Sequence, residues 1–218
     1  MVLWVLAAPT QSSIGENLTT MMEPTIIGQF NQTDRIISPA EANLWLQQRT
    51  LWQERAFWTR MAIMAIVQDS DDKGPVLKRL MRNYQDTAQN LVPYYGNETA
   101  EKYGNLIRDN LLITADLANA VKQGNQTAME NASVEWNKNV EDIADFESTL
   151  GANLTQMDRR AMWLQQLNLT RNETMQVFNR DYNASIDTFD RIVELSNMMA
   201  DSLANGIVRR FSEDFHQN

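Results

Sequence analysis

The segment from Ser38 to Gln68, SPAEANLWLQQRTLWQERAFWTRMAIMAIVQ, leaves the chain little choice of fold. Ser38 offers an oxygen to cap free N–H groups, Pro39 suits a first helical position where a missing N–H costs nothing, and Glu41 completes an S-x-x-E capping box. Leu44, Leu51, Trp58 and Ala65 recur every seven residues with Gln48, Arg55 and Ala62 between them. That is the spacing of a helix packed lengthwise against other helices. A stripe this long needs helical partners of similar length, so the fold class expected is all-α.

Along the rest of the chain, Pro75 opens a shorter helix that ends near Leu91, before Pro93. A long helix over 97–123 carries Tyr103, Leu106, Asn110, Ile113, Leu117 and Ala120 on one stripe, with Gly124 as its stop. A third over 126–150 shows Val134, Val140, Ile143, Phe146 and Leu150 before Gly151. Thr155 and Asp158 start a short helix to about Leu167. Thr170 with Glu173 starts a last, long one over 170–211, through Met175, Phe178, Tyr182, Ile186, Val193, Ala200, Ala204, Ile207 and Phe211. The order long, short, long occurs twice, and Asn-Glu-Thr opens the second long helix of each half, at 97–99 and 172–174. The expectation is four long helices in a bundle with two short ones, in one domain over 38–218. A weak internal duplication relates 38–124 to 125–211, and an extended arm precedes them over 1–37.

Composition narrows the function. The chain has no cysteine, so disulfides and thiolate metal sites are excluded. A net charge of −9, with basic residues scattered, argues against nucleic acid and anionic membrane surfaces as partners. The longest wholly apolar run of the body, 61–67, is far below the roughly 18 residues of a membrane span. The single histidine, His216, forms an E-x-x-H spacing with Glu213, whereas a di-iron bundle needs two such motifs and two further glutamates. Without a glycine-rich phosphate loop, a nucleophile elbow or the residues of a triad, the reading is a non-enzymatic protein with no cofactor and no metal.

Nine asparagines stand in N-x-S/T sequons: Asn17, Asn31, Asn97, Asn125, Asn131, Asn153, Asn168, Asn172 and Asn183. Chance pairing of 21 Asn with 26 Ser and Thr over 218 residues gives about 2.5. The excess points to N-glycans on a cell-surface or extracellular protein, and the acidic, cysteine-free composition suggests an archaeal surface.

Polar residues also interrupt the apolar stripes. Arg55 lies between Leu51 and Trp58, Asn110 between Leu106 and Ile113, and Asp190 and Asn197 line up with Ile186, Val193 and Ala200. They are expected to form a buried polar network in which Arg55 pairs with Asp190 or Asp116 while Asn110 and Asn197 bond across the bundle. The alternative use of such a network is a small-ligand or metal site around Arg55 and Asp190. The methionines and tryptophans at helical spacing, Trp45, Trp52, Trp58, Met61, Met64, Met198 and Met199, are expected in the core.

In the arm, Ala7, Ala8 and Pro9 resemble the small-residue side of a signal-peptide cleavage site, although the basic start is missing. The apolar opening Val2, Leu3, Trp4, Val5 and Leu6 needs a host, and a repeating groove on a neighbouring copy is the host expected. This makes the arm the connector of a homo-oligomer or filament, the alternative being an arm that folds back on its own chain or marks a membrane-proximal anchor.

Four stretches, LWQERAFWTRMAI from Leu51, LVPYYGNETA from Leu91, DLANAVKQGN from Asp116 and MADSLANGIVRRF ending at Phe211, resemble a family of uncharacterised prokaryotic all-α proteins. Its members are sometimes labelled acetylglutamate kinase or glycosyltransferase. The resemblance implies a helical fold over about 51–211 and, in relatives, inward histidines that would hold a metal or cofactor. Those histidines are missing from this sequence.

Overall fold

The computed structural model describes residues 37–151 and 156–215. The arm, with Val2 to Leu6, Asn17 and Asn31, lies outside the described residues, as do Asn153 and His216. What is described is all-α, with no strand among the described residues. Five helices of 23 to 51 residues, α1 Pro39–Gln68, α2 Lys73–Gln123, α3 Gln126–Thr149, α4 Gln156–Phe178 and α5 Tyr182–Arg210, are followed by a single turn, α6 Ser212–Phe215. None of them is long and apolar enough to cross a membrane.

The first helix follows its sequence signals closely. Ser38 Oγ accepts from the Glu41 N–H at 3.1 Å, and α1 buries Leu44, Gln48, Trp52, Arg55, Ala62 and Ala65. Its end closes on Asp69 in the left-handed region at φ 56°, with the Asp69 and Ser70 N–H groups donating back to the carbonyls of Ile66 and Ala65. Gly124, at φ 63°, ends α2 in the same way, where the absence of a Cβ removes the strain.

α2 is two limbs rather than one rod. Gly96 sits at φ 77°, ψ 170°, a conformation essentially reserved for glycine, and interrupts the helix three residues after Pro93. Gly104 in the second limb lies so close to Ala88 in the first that a Cβ there would stand 2.8 Å from the Ala88 Cβ. Two residues eight positions either side of Gly96 can meet only if the limbs, 73–95 and 97–123, fold back side by side. The short helix expected from Pro75 is the first limb, and it continues through Pro93 to the break. A Cβ on Gly96 would touch nothing within 4 Å. Gly96→Ala therefore tests backbone strain alone, and urea denaturation should show a loss of about 1–3 kcal/mol.

The second half corrects the sequence reading. The helix expected to stop near Leu167 runs on to Phe178, and no helix starts at Thr170. Thr170 Oγ1 instead donates to the Gln166 carbonyl at 2.9 Å, the backward bond of a threonine inside a helix. The break lies at 179–181, where Arg180 adopts φ 60° and the Asp181 side chain accepts from the Ala184 N–H at 3.2 Å to cap α5. This break rotates the stripe, so Met175, Phe178, Tyr182 and Ile186, expected in the core, are exposed. Val134 is exposed as well; α3 buries Trp136, Asn139, Val140, Ile143, Ala144 and Glu147. The two Asn-Glu-Thr triplets are not equivalent, because Asn97 follows the Gly96 break while Asn172 lies inside α4.

The core runs through all five long helices, with Leu44, Ile107, Leu111, Val140, Ile143, Leu203 and Ile207 almost wholly buried. Trp52 and Met199 belong to it, Trp45, Trp58, Met61 and Met198 pack against it, and Met64 packs beside Ile63 and Ile66 in an adjoining cluster. At one end Tyr94 stacks on Phe215 at 5.7 Å and Tyr95 meets Phe211 edge-on at 5.2 Å, which ties α6 to the α2 bend.

Candidate functional site

Polar side chains on the inner faces form three clusters at the centre of the bundle. The first is built on Arg55 of α1, which is only 7% exposed. Its Nε donates to Asn83 Oδ1 at 3.1 Å and its Nη2 to Thr87 Oγ1 at 3.5 Å, while Asn83 is itself fixed by donating to the Leu51 carbonyl at 2.9 Å. The guanidinium lies over the ring of Trp52 at 4.4 Å and near that of Trp163 at 5.9 Å. Nη1 has no protein partner. Asp116 and Asp190, expected to pair with Arg55, are both exposed, and among the described residues Arg55 forms no ion pair with a carboxylate. Asp190 leaves the core because the 179–181 break sets the phase of α5. Burial of the unpaired charge pushes the Arg55 pKa down, against the attraction of Tyr103 and Glu147.

The second cluster centres on Glu147 of α3. Tyr103 Oη donates to its Oε1 at 2.7 Å and Arg159 Nη1 to its Oε2 at 2.6 Å, with Arg159 Nη2 reaching Ser202 Oγ at 3.2 Å. Glu147 and Arg159 are each 3% exposed, so α2, α3, α4 and α5 meet on one buried ion pair. Burial, followed by the Glu147 charge, holds the Tyr103 hydroxyl well above its ordinary pKa. The third cluster joins Arg60 of α1 to Glu173 of α4, and Arg60 also donates to the Ser185 carbonyl at 3.1 Å and to Ser185 Oγ at 3.2 Å. Glu173 is 1% exposed, and burial outweighs the attraction of Arg60, pushing its carboxyl up to about 7.

Of the network expected from sequence, Asn110 bonds across the bundle, its Nδ2 donating to Asn139 Oδ1 at 2.9 Å while Asn139 donates to the Leu106 carbonyl at 3.0 Å. Asn197 bonds elsewhere, accepting from Gln53 Nε2 at 2.8 Å on the α1–α5 border near the exposed Arg49–Asp201 pair. The residues that sequence reasoning missed were partly visible: Trp136 and Glu147 stand four residues before Val140 and four after Ile143, on the stripe that those two already marked. On α4, Arg159, Trp163, Gln166 and Thr170 follow steps of four, three and four, with Met162 and Leu167 beside them.

Trp52, Arg55, Asn110, Trp163, Gln166 and Glu173 are among the residues that line a cavity of about 30 Å³ of water-accessible space, room for one or two water-sized species. The larger hollows, of about 520, 530 and 560 Å³, are open grooves on the surface. Among the described residues no group of three or more His, Cys, Asp or Glu could hold a metal ion. Comparison with protein-family models, with curated proteins and with solved structures gives no match.

Proposed function

We propose that this chain is a non-enzymatic, N-glycosylated structural protein of the cell surface or extracellular space that assembles with copies of itself through the arm over 1–37. The observation that carries the reading is the ninefold occurrence of the sequon against about 2.5 by chance. Exposure is compatible with it at every described site: Asn97, Asn125, Asn131, Asn168, Asn172 and Asn183 are all exposed. Asn125 caps α3 through Oδ1, which leaves Nδ2, the atom that carries a glycan, outside that bond. At Asn168, Asn172 and Asn183 the hydroxyl residue two positions on, Thr170, Thr174 or Ser185, is buried. Residues two apart on a helix lie on nearly opposite faces, so exposure there follows from phase, and the number of sequons is the stronger support.

The proposal includes the internal duplication. Each half then holds three helices, α1 with the two limbs of α2 and α3 with α4 and α5, related by halves rather than by the Asn-Glu-Thr triplets. Native mass spectrometry of the protein isolated from its source tests the whole reading. Subunits heavier than the bare 25.0 kDa chain by several glycans, in a multiple of the subunit mass, are expected, whereas a bare monomer overturns it.

A second reading, a helical bundle that binds a small ligand at Arg55, is favoured by one observation. Arg55, Trp52 and Trp163 all line the cavity, and Arg55 Nη1 and the two indole Nε1 atoms are buried donors without a protein acceptor. Asp190 has no part in it.

A further inference from the structure

The central cavity has a sign. Four residues that line it carry a buried polar atom without a protein partner, and three of those atoms are donors, Arg55 Nη1 and the indole N–H groups of Trp52 and Trp163; the fourth is the acceptor Gln166 Oε1. Trp52 and Trp163 are each 2% exposed and their rings lie 5.4 Å apart, with the guanidinium over both. A buried donor without an acceptor costs as much as a lost hydrogen bond, and a buried cation without a counter-charge costs more.

The protein's own anions are engaged elsewhere. Glu147 is held by Tyr103 and Arg159, and Glu173, which reaches the cavity wall, is bonded by Arg60. Around the cavity the core thus holds three arginines, Arg55, Arg60 and Arg159, against the two carboxylates of Glu147 and Glu173, and the two pairs leave Arg55 as the one cation without a carboxylate. Replacing Arg55 by an apolar residue would remove this surplus.

The geometry points to a buried binding site for a small monovalent inorganic anion, chloride or one of similar size, held by Arg55 Nη1 and the indole N–H groups of Trp52 and Trp163. This rests on the ligand-binding reading and names its ligand class. Size selects within that class, because about 30 Å³ excludes the sugars, nucleotides and aromatic cofactors that need hundreds of Å³. Charge selects as well: a cation is repelled by Arg55, and a divalent anion brings more charge than the single local surplus balances. The Gln166 amide adapts by a half-turn that exchanges its oxygen for Nε2 as a fourth donor.

The test refolds the full-length chain in sodium bromide, crystallises it and records diffraction at the bromine absorption edge. An anomalous peak within hydrogen-bond distance of Arg55 Nη1 and the two indole nitrogens is expected. In parallel, the thermal midpoint in sodium chloride is compared with that in sodium gluconate at equal ionic strength. For a chain of this size a rise of about 2–4 °C is expected in chloride, and it should vanish in Arg55→Met. If Arg55→Met fails to fold, the bromide peak in the unaltered chain decides alone. Density for an organic molecule in place of bromide overturns the anion assignment while keeping a ligand-binding core. Water alone in the cavity, with equal midpoints in the two salts, overturns both.

Discussion

Glu147→Gln should destabilise the bundle by about 3–5 kcal/mol in urea denaturation at neutral pH, the largest effect expected of any single isosteric change in this chain. The substitution keeps shape and volume, so no void opens. What it removes is the charge that compensates Arg159, which is 3% exposed and has no other carboxylate among its hydrogen-bond partners. Tyr103 can still donate to the amide oxygen, so the loss isolates the uncompensated cation rather than the hydroxyl. The double variant Glu147→Gln/Arg159→Met should recover most of the stability, because a buried pair replaced by packed apolar groups is often close to neutral. If the single variant costs less than about 1 kcal/mol, the pair is not the junction of α2, α3, α4 and α5 described above.

Stability should fall as pH rises from about 5 to about 8, by an amount on the order of 3 kcal/mol, and Glu173 is the cause. The folded chain holds the Glu173 proton up to about pH 7, whereas an unfolded chain releases it near 4.5. Between those values the folded state binds more protons than the unfolded one, so raising the pH favours unfolding; above about 7 both forms are ionised and the curve flattens. The window is otherwise quiet, since ordinary carboxylates are ionised by pH 5 and the chain has one histidine. Denaturation midpoints at pH 5 and pH 8 check the slope, and Glu173→Gln should abolish it. Equal midpoints in the unaltered chain would mean that Arg60 offsets the burial of the carboxylate in full.

Much of the first half was legible because its punctuation is local and chemical. Ser38, Pro39 and Glu41 mark a start and Gly124 marks an end, each through a backbone constraint carried by the residue itself, whereas the stop expected before Pro93 falls at Gly96 instead. The second half was misread for the same reason in reverse. Arg180 occupies the left-handed position that glycine takes at 124, so nothing in the sequence announces the end of α4. Thr170 with Glu173 has the form of a capping box, yet both face the core from mid-helix. Of the candidate site, Arg55 and Asn110 were found because a polar residue on an apolar stripe is visible one helix at a time. Their partners were not, since Asn83, Asn139 and Trp163 reach them only once the relative rotation of neighbouring helices is set. Glu147 and Arg159 needed the same information, although each stands on a stripe of its own.

The burial of Thr170, Thr174 and Ser185 turns the proposed glycosylation into a matter of timing. An enzyme that modifies Asn168, Asn172 or Asn183 must read the hydroxyl residue two places on, and in the finished bundle those hydroxyls face inward, with Thr170 and Thr174 bonded to α4's own carbonyls. Folding withdraws these three acceptors while leaving Asn97, Asn125 and Asn131 at the surface, close to helix ends. On the proposed reading, sugar transfer and folding therefore compete for the nascent α4 and the start of α5. The glycan pattern of a mature molecule becomes a record of how quickly that part of its chain closed.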